Sequence, residues 1–369
     1  FVSENAAQSW SELPSSPQSG YFCGLAVDSS DPDRIFAANL GSYTQIMNLP
    51  SLSRTTDGGQ TWSRLGPEAH CLFVHFSPGS SDIMYCGTFR KGAYRSDDGF
   101  STWQAIREGD KIVFDLAVND DDPSVLLLSE WDIEQSTPGV YRSTDSGGSF
   151  DLVLPEVCPR LLHVTQSDTF YAASTQGLYI STDQGQSWSL RGLSSYNLMS
   201  LEWNEGDLFT GTETGEIFRV TATSIEDISG NWEKPVNVAD LLFVGDVLYA
   251  GLNGAEVDTT FVMHGGVWQT PDLGNTWEDI TGNLPVDNVY GNSPMVLCGS
   301  ALLTSTYGGG IHRLDNFQQI ESPDSGAGSV VSGLSVSPNP SFGSVEIIFT
   351  IPVDSRTNFS VYDISGRVL

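Results

Sequence analysis

Seven acidic residues stand in segments where two carboxyl groups could face each other across a cleft: Asp115, Glu130, Asp132, Glu202, Asp240, Glu256 and Asp258. A pair of carboxyl groups that flanks a glycosidic bond can supply a general acid and a base or nucleophile. Because 46 of the 369 residues are Asp or Glu, such a pair also arises easily by chance. Hydrolysis is therefore an alternative here and not the leading interpretation.

Metal binding and nucleophilic catalysis find little support in the sequence. The five histidines form neither His-Glu-x-x-His nor His-x-His, and the five cysteines include no Cys-x-x-Cys pair. Two acidic clusters, residues 28–33 and 120–122, have ligands suited to Ca²⁺, but neither has the spaced loop with a closing Glu. We expect solvated turns and no cofactor, with Ca²⁺ as the alternative.

Three longer segments combine aromatic rings with carboxylate and amide groups: residues 40–52, 130–138 and 253–265. Such side chains stack on sugar rings or bind a protein surface. The candidate ligand-binding residues in these segments are Tyr43, Gln45, Trp131, Asp132, Glu134, Asp258 and Phe261. The alternative is that they only pack the longer loops.

The charge balance excludes two classes of partner. Sixteen Lys and Arg residues stand against 46 Asp and Glu residues, which gives a formal net charge of −30. A chain this acidic repels nucleic acid and anionic membranes, and it has no apolar run of transmembrane length. We therefore expect neither nucleic-acid binding nor membrane insertion.

One short motif recurs along the chain and must help to position these groups. It reads Ser/Thr-x-Asp-x-Gly-x-Ser/Thr-aromatic, and its first copy runs from Thr55 to Trp62. The aspartates of the five recognisable copies are Asp57, Asp98, Asp145, Asp183 and Asp272. An aspartate in such a turn accepts backbone N–H bonds, and the glycine supplies a positive φ. We call each copy an aspartate turn and predict a structural role for its carboxylate.

Each aspartate turn belongs to a larger repeat that reads as four short strands. Two further copies lack the aspartate and have Ala222 or Asn316 in its place. Seven such repeats predict an all-β fold, a seven-bladed β-propeller over residues 1–321. Connections between second and third strands then lie on the face opposite the aspartate turns. We call that face, which would carry the three longer segments, the insertion face.

The repeated motif is similar to the Asp-box, or bacterial neuraminidase repeat, of sialidases, xyloglucanases, sortilin-type receptors and photosystem assembly factors. The resemblance spans about residues 10–320 and implies the propeller fold. It implies little about activity, because the family mixes hydrolases with binding proteins. Sialidases of the family open with Arg-Ile-Pro, whereas Arg34 and Ile35 are followed here by Phe36.

The C-terminal residues resemble a different family. Residues 322–333 read as a linker, and residues 334–369 contain Pro338-Asn339-Pro340 and a Tyr362-Asp363 pair followed by Gly366-Arg367. These motifs resemble the sorting domain of type IX secretion substrates, a small immunoglobulin-like β-sandwich, here incomplete. The resemblance implies export to the surface or surroundings of a bacterium, with the secretion machinery as a partner.

Two local features give sharper predictions. Trp10 lies before the first complete repeat, so we predict that its strand joins the blade containing Ile311 and ties the first blade to the last. Cys71 and Cys86 lie on consecutive predicted strands, and oxidation in an exported chain would allow a disulfide between them. A disulfide is therefore weighed here against two free thiols.

The leading interpretation is a secreted or cell-surface propeller that binds a glycan or an extracellular protein through the insertion face, without catalysis. A xyloglucanase- or sialidase-like hydrolase on the same fold is the alternative. A structural subunit of an extracellular assembly is the second alternative.

Overall fold

The computed structural model of the chain describes residues 10–13, 22–40, 52–164, 168–232, 235–254, 256–258, 261–262, 265–284, 289, 291, 294–306, 310–315, 334–337 and 346–349. The chain divides into two compact units, Phe1–Ile320 and Glu321–Leu369. Every regular element within the described residues is a β-strand.

The described strands of the first unit form seven four-stranded antiparallel sets, which we call blades I to VII. Strand β1, Trp10–Glu12, belongs to the last of them. Blade I consists of β2 Phe22–Asp28, β3 Asp31–Asn39, β4 Leu52–Thr55 and β5 Ser63–Leu65; blade II of β6 His70–Phe76, β7 Met84–Phe89, β8 Ala93–Ser96 and β9 Gln104–Arg107; and blade III of β10 Lys111–Val118, β11 Leu126–Asp132, β12 Thr137–Ser143 and β13 Asp151–Leu154. Blade IV consists of β14 Arg160–Val164, β15 Thr169–Ser174, β16 Gly177–Ser181 and β17 Ser189–Gly192, and blade V of β18 Leu198–Asn204, β19 Asp207–Thr212, β20 Ile217–Val220 and β21 Ile225–Asp227. Blade VI consists of β22 Val236–Val244, β23 Val247–Gly254, β26 Gly266–Thr270 and β27 Glu278–Asp279, and β1 is joined in blade VII by β28 Met295–Cys298, β29 Ala301–Thr306 and β30 Gly310–Leu314. Between β23 and β26, β24 Glu256–Asp258 and β25 Phe261–Val262 form a separate small hairpin.

The first strands of the blades contact one another in chain order, and β28 contacts β2. This last contact closes a ring, and the first unit is therefore a β-propeller. The prediction for Trp10 is confirmed: β1 pairs with β30, with Trp10 opposite Leu314. The pairing extends one residue beyond β1, because the N–H of Leu13 donates to the carbonyl of Ile311 at 3.1 Å.

The hydrophobic core lies between neighbouring blades. One cluster joins Phe73 and Tyr85 of blade II to Val113 and Leu126 of blade III, and all four are buried. Contacts between blades are close enough to require glycine at some positions. A β-carbon on Gly251 would lie only 2.7 Å from Cγ1 of Val289. The inner strands are buried on both faces, as in β29 where all six residues are buried, because each blade packs against a neighbour on either side.

The five cysteines are free thiols, and all five are buried. The disulfide considered for Cys71 and Cys86 is therefore wrong, although their sulfur atoms lie 4.0 Å apart. The register explains the outcome, because Cys71 lies opposite Thr88 and Cys86 lies opposite Val74. The two side chains are diagonal neighbours and not a facing pair.

The second unit is described only at one antiparallel pair of strands, β31 Leu334–Ser337 and β32 Glu346–Phe349. Leu334 lies opposite Phe349 in this pair. The rest of the predicted sandwich, including the motifs at 338–340 and 362–367, lies outside the described residues.

Candidate functional site

The structure corrects the prediction of a loop at 130–138. Strand β11 continues to Asp132 and β12 begins at Thr137, so only residues 133–136 form the turn. We call β11, this turn and β12 the blade III hairpin. The extension alternates sides in the ordinary way, with Glu130 and Asp132 buried and Trp131 41% exposed. These polar residues, predicted to form a loop, instead extend the strands, because Arg107 and Lys111 pair with the buried carboxylates of Glu130 and Asp132.

Those cations form an ion network on one side of the blade III hairpin. Arg107 donates Nε and Nη2 to the two oxygens of Glu130, at 2.8 and 2.7 Å. Its guanidinium also lies over the ring of Tyr141, 4.3 Å from the centroid. Lys111 binds Asp132, and this hydrogen bond holds the pKa of the Asp132 carboxyl below its ordinary value. Both buried carboxylates are therefore neutralised within the protein.

The other predicted ligand-binding residues are only partly within the described residues. Glu134 is exposed in the turn of the blade III hairpin. Tyr43 and Gln45 lie outside the described residues. Asp258 and Phe261 face each other in the backbone register of β24 and β25, and their side chains lie outside the description.

A second group of predicted acids meets near the ring axis. Asp115, Glu202 and Asp240 come from the first strands of blades III, V and VI, together with Arg160 from blade IV. Nη2 of Arg160 lies 3.2 Å from Oδ1 of Asp240. We call these four residues the channel cluster.

His75 of β6 flanks the channel cluster. Its Nδ1 lies 3.7 Å from Oδ1 of Asp115 and 3.2 Å from the carbonyl of Leu116. Burial lowers the pKa of His75, and Asp115 opposes that effect. The imidazole is therefore held toward its neutral form.

The three acids of the channel cluster each accept a backbone N–H from a later blade. Asp115 Oδ2 accepts the N–H of Leu161 at 2.9 Å, and Asp240 Oδ2 accepts that of Met295 at 3.0 Å. Glu202 Oε1 accepts the N–H of Phe243 at 3.0 Å. Each carboxylate thus ties the first strand of its own blade to the first strand of the next.

Burial raises the pKa of two of these carboxyl groups. The pKa of Glu202 rises to about 7, with the Phe243 N–H and Arg160 opposing the effect and Asp240 adding to it. Burial raises the pKa of Asp240 to about 6, against the lowering effect of Arg160. A carboxyl group that titrates near neutrality in a recess is a candidate acid–base group.

A cavity of about 280 Å³ opens beside the channel cluster. Its lining combines His75, Asp115, Arg160 and Glu202 with apolar side chains such as Leu162. The chemistry available there is proton exchange at Glu202 and binding of a small polar group.

The aspartate turns lie away from this cavity and have a local hydrogen-bond pattern. In the fourth copy, Asp183 Oδ1 accepts the N–H of Ser187 at 2.9 Å and the hydroxyl of Ser181 at 2.7 Å. The same bonds recur at Asp57, Asp98, Asp145 and Asp272. These bonds lower the pKa of Asp57, Asp145 and Asp183 to about 2.

Sequence reasoning missed a second set of ties, made by arginines at the ends of third strands. Arg142 donates Nε to the carbonyl of Gln184 at 2.7 Å, and Arg95 donates Nη1 to that of Ser146 at 3.3 Å. Gln184 and Ser146 each follow the aspartate of the next blade's turn. The available signal was an arginine three residues before the aspartate of its own blade's turn, Arg95 before Asp98 and Arg142 before Asp145.

Within the described residues, no group of three or more His, Cys, Asp or Glu side chains is placed to hold a metal ion. At each of the two clusters considered for Ca²⁺, one carboxylate accepts hydrogen bonds from its own turn. Asp28 accepts the N–H and hydroxyl of Ser30, and Asp122 accepts those of Ser124. The described residues also include no helix with the length and apolar character needed to cross a membrane.

No protein-family model matches the chain, and no curated protein matches it either. The chain does match solved structures. A GH74 xyloglucanase from Xanthomonas campestris aligns with a TM-score of 0.62 and 16% identity over 85% of this chain and 54% of the xyloglucanase. This chain therefore spans about half the length of that enzyme.

Two structures of a smaller protein also align. YCF48 bound to D1 peptide has a TM-score of 0.59 and 15% identity, over 83% of this chain and 97% of YCF48. YCF48 from Cyanidioschyzon merolae has a TM-score of 0.56 and 14% identity, over 83% and 98%. At such identities the likeness establishes the fold alone, which is the β-propeller.

Proposed function

We propose that this protein binds a glycan or an extracellular protein through its insertion face and catalyses no reaction there. The observation that carries the proposal is the blade III hairpin. It presents the exposed ring of Trp131, while the carboxylates on its other side are neutralised by Arg107 and Lys111. An exposed aromatic ring on a rigid, ion-paired strand is a typical anchor for a ligand.

The positions of the candidate acids support binding over catalysis. Glu130 is fully buried, and its two oxygens accept hydrogen bonds from Nε and Nη2 of Arg107. Asp115 and Asp240 are also buried, and each accepts a backbone N–H from another blade. A general acid or base must have an oxygen free to reach its substrate. These carboxylates are occupied as structural acceptors.

One observation favours the alternative of a glycan-active hydrolase. Glu202 has a pKa of about 7 and lines the 280 Å³ cavity, so it has the properties of a general acid. The cavity is small beside a polysaccharide, and the neighbouring acids are tied to the backbone. The xyloglucanase among the solved neighbours keeps this alternative in view, and YCF48 bound to D1 peptide supports the binding role.

We also propose the finer assignments that the motifs imply. The first unit is an Asp-box propeller, and the hydrogen bonds at the aspartate turns support this. Residues 322–333 are a linker, and residues 334–369 belong to a type IX sorting domain that addresses the protein to the outside of a bacterium. Deleting residues from 334 onward should leave a folded propeller in the periplasm, measured by cell fractionation. A truncated protein that reaches the surface would contradict the assignment.

The binding proposal is tested with the full chain on immobilised polysaccharides and extracellular proteins, with release of reducing ends measured in parallel. We expect retention without bond cleavage, and weaker retention for Trp131→Ala. Trp103→Ala is the matched control, because Trp103 is 43% exposed but is the aromatic residue of the second aspartate turn and lies outside the blade III hairpin. Equal retention of the wild type and Trp131→Ala on every ligand would refute the proposal.

A further inference from the structure

Four apolar side chains form a continuous row across four hydrogen-bonded strands. Phe89 of β7 pairs with Ile112 of β10, Ile112 pairs with Trp131 of β11, and Trp131 pairs with Pro138 of β12. Directly paired residues point to the same side of a sheet. With strands about 4.8 Å apart, the row is about 14 Å long. We call Phe89, Ile112, Trp131 and Pro138 the apolar row.

The apolar row exists because the sheets of blades II and III join. The pairing of Ile112 with Phe89 links the two blades into one eight-stranded sheet. Trp131 is 41% exposed, and the other three members are half-buried. The row is therefore a partly exposed apolar surface, along which blades II and III join at a single residue pair.

The charges around the apolar row are unbalanced. Two of its neighbouring cations are neutralised by ion pairs, Arg90 with Asp110 at 2.8 and 2.6 Å and Lys111 with Asp132. Lys91 donates to the carbonyl of Glu68 at 2.6 Å and keeps its positive charge. Two exposed carboxylates, by contrast, form no ion pair or side-chain hydrogen bond with any described residue. They are Glu108 and Glu134.

The two exposed carboxylates flank the apolar row. Glu134 lies three residues after Trp131, in the turn of the blade III hairpin. Gly92 is in the turn that follows Phe89, and the backbone of Glu108 lies beside Gly92. The net charge of −30 on the whole chain adds a long-range field of the same sign. Such a field attracts cationic partners and repels anionic ones.

We propose that the apolar row binds an extended peptide segment of a protein partner, one that carries arginine or lysine beside apolar side chains. The apolar side chains would cover Ile112 and Pro138, and a guanidinium would stack on Trp131 while Glu134 and Glu108 receive the positive charges. This inference rests on the proposed function and narrows its partner. A neutral glycan would leave the two carboxylates without a role.

The test is fluorescence polarisation with the full chain and three labelled peptides of equal length. The three peptides have Leu and Thr at the same positions. Every other position is Arg in the first peptide, Glu in the second and Ser in the third. We expect the Arg peptide to bind more tightly than the Ser peptide and the Glu peptide not to bind. Binding should weaken as NaCl rises from about 0.05 to about 0.5 M, because exposed charges are screened.

Variants assign the site. Trp131→Ala should weaken binding of the Arg peptide about tenfold or more, as expected for a central aromatic anchor. Glu108→Gln with Glu134→Gln should weaken it several-fold and reduce the salt dependence, and Trp103→Ala should change it by less than about twofold. Unchanged melting temperatures exclude misfolding as the cause.

Three outcomes would overturn the inference in different ways. If a polysaccharide binds through Trp131 and the Arg peptide does not, the peptide partner is wrong while the proposed function stands. If Trp131→Ala affects neither ligand, both the inference and the proposed function fail. Equal binding of the Arg and Glu peptides would also contradict the role of the carboxylates.

Discussion

The aspartate turns and the channel cluster use the same side-chain group in opposite environments. Asp183 receives the hydroxyl and N–H of Ser187 within its own turn, and its pKa falls to about 2. Glu202 has one backbone donor in a poorly solvated recess, and its pKa rises to about 7. The hydrogen bonds of the turn stabilise the charged carboxylate of Asp183, whereas burial in the channel cluster destabilises the charged carboxylate of Glu202. The raised pKa of the Glu202 carboxyl therefore reflects burial and does not by itself indicate catalysis.

The two regions also stabilise different parts of the propeller. An aspartate turn closes the connection between two strands of one blade. The channel cluster crosses between blades, through the N–H groups of Leu161, Phe243 and Met295. We therefore expect mutations in the channel cluster to affect closure of the ring, and mutations in the turns to act locally.

The largest effect is expected from Asp240→Ala. This change removes the 3.2 Å ion pair with Arg160 and the acceptor for the Met295 N–H. Breaking a buried ion pair on one side costs about 3–5 kcal/mol of unfolding free energy. Asp240→Asn keeps an oxygen acceptor and should cost less. Denaturant unfolding measures both, and equal losses for the two variants would show that the acceptor is unimportant.

Glu202→Gln should stabilise the protein at alkaline pH. The pKa of Glu202 is raised, so between about pH 4.5 and pH 7 the folded protein binds more protons than the unfolded chain. Stability from this group is present at low pH and is lost as pH rises through the folded pKa. The glutamine variant avoids that loss, which is worth about 2–3 kcal/mol at pH 8 after allowance for partial exposure.

The difference between wild type and Glu202→Gln, followed by thermal unfolding from about pH 5 to about pH 8, isolates this effect. The lowered pKa of His75 acts in the opposite direction in both proteins and cancels in the difference. The stabilisation from the aspartate turns should be lost only at strongly acid pH. The loss occurs as the pH falls from the ordinary pKa of an aspartate toward the lowered pKa of about 2. A variant that gains nothing at alkaline pH would remove the contrast between the two regions.

The aspartate turns should give a smaller loss. Asp183→Ala leaves the N–H of Ser187 without its carboxylate acceptor and should cost about 1–3 kcal/mol. Asp97→Ala is the control, because Asp97 lies outside the turn position and only pairs with Arg95 at 2.8 Å on the surface. Its expected loss is small. Equal melting shifts for the two variants would contradict the structural assignment of the motif.

The smallest effect is expected from the arginine ties. Arg142→Ala removes the 2.7 Å bond to the carbonyl of Gln184 and should cost about 0.5–1.5 kcal/mol. Arg64→Ala is a suitable control, since Arg64 is exposed on an outer strand. A loss at Arg64 as large as that at Arg142 would mean that the tie between the blades contributes nothing.

The sequence predicted the parts of the fold that are encoded locally and repeated. Four strands in each repeat and the pairing of Trp10 with the last blade follow from the motif and its flanks. The aspartate turns were visible for the same reason, because every donor lies within four residues of the aspartate. Local hydrogen bonds leave a signature in the spacing of residues.

The channel cluster left no such signature. Asp115 and Asp240 are 125 residues apart in the chain, and both follow an irregularity in strand pairing, at 113/115 and at 238/240. Such a bulge changes the side to which the next side chain points. Predicting it requires the register between strands, which alternation alone does not give. The apolar row was missed for a related reason, since it depends on pairing between two blades.

If the proposed function is right, the protein binds its ligand without cleaving it, and the carboxylates of the channel cluster hold neighbouring blades together. The most direct test is release of reducing ends from a polysaccharide panel by the wild type and by Glu202→Gln, at about pH 5 and about pH 7. We predict no release by either protein, with Glu202→Gln the more stable of the two at alkaline pH. Release by the wild type that is abolished in Glu202→Gln would contradict the claim and identify Glu202 as a catalytic acid.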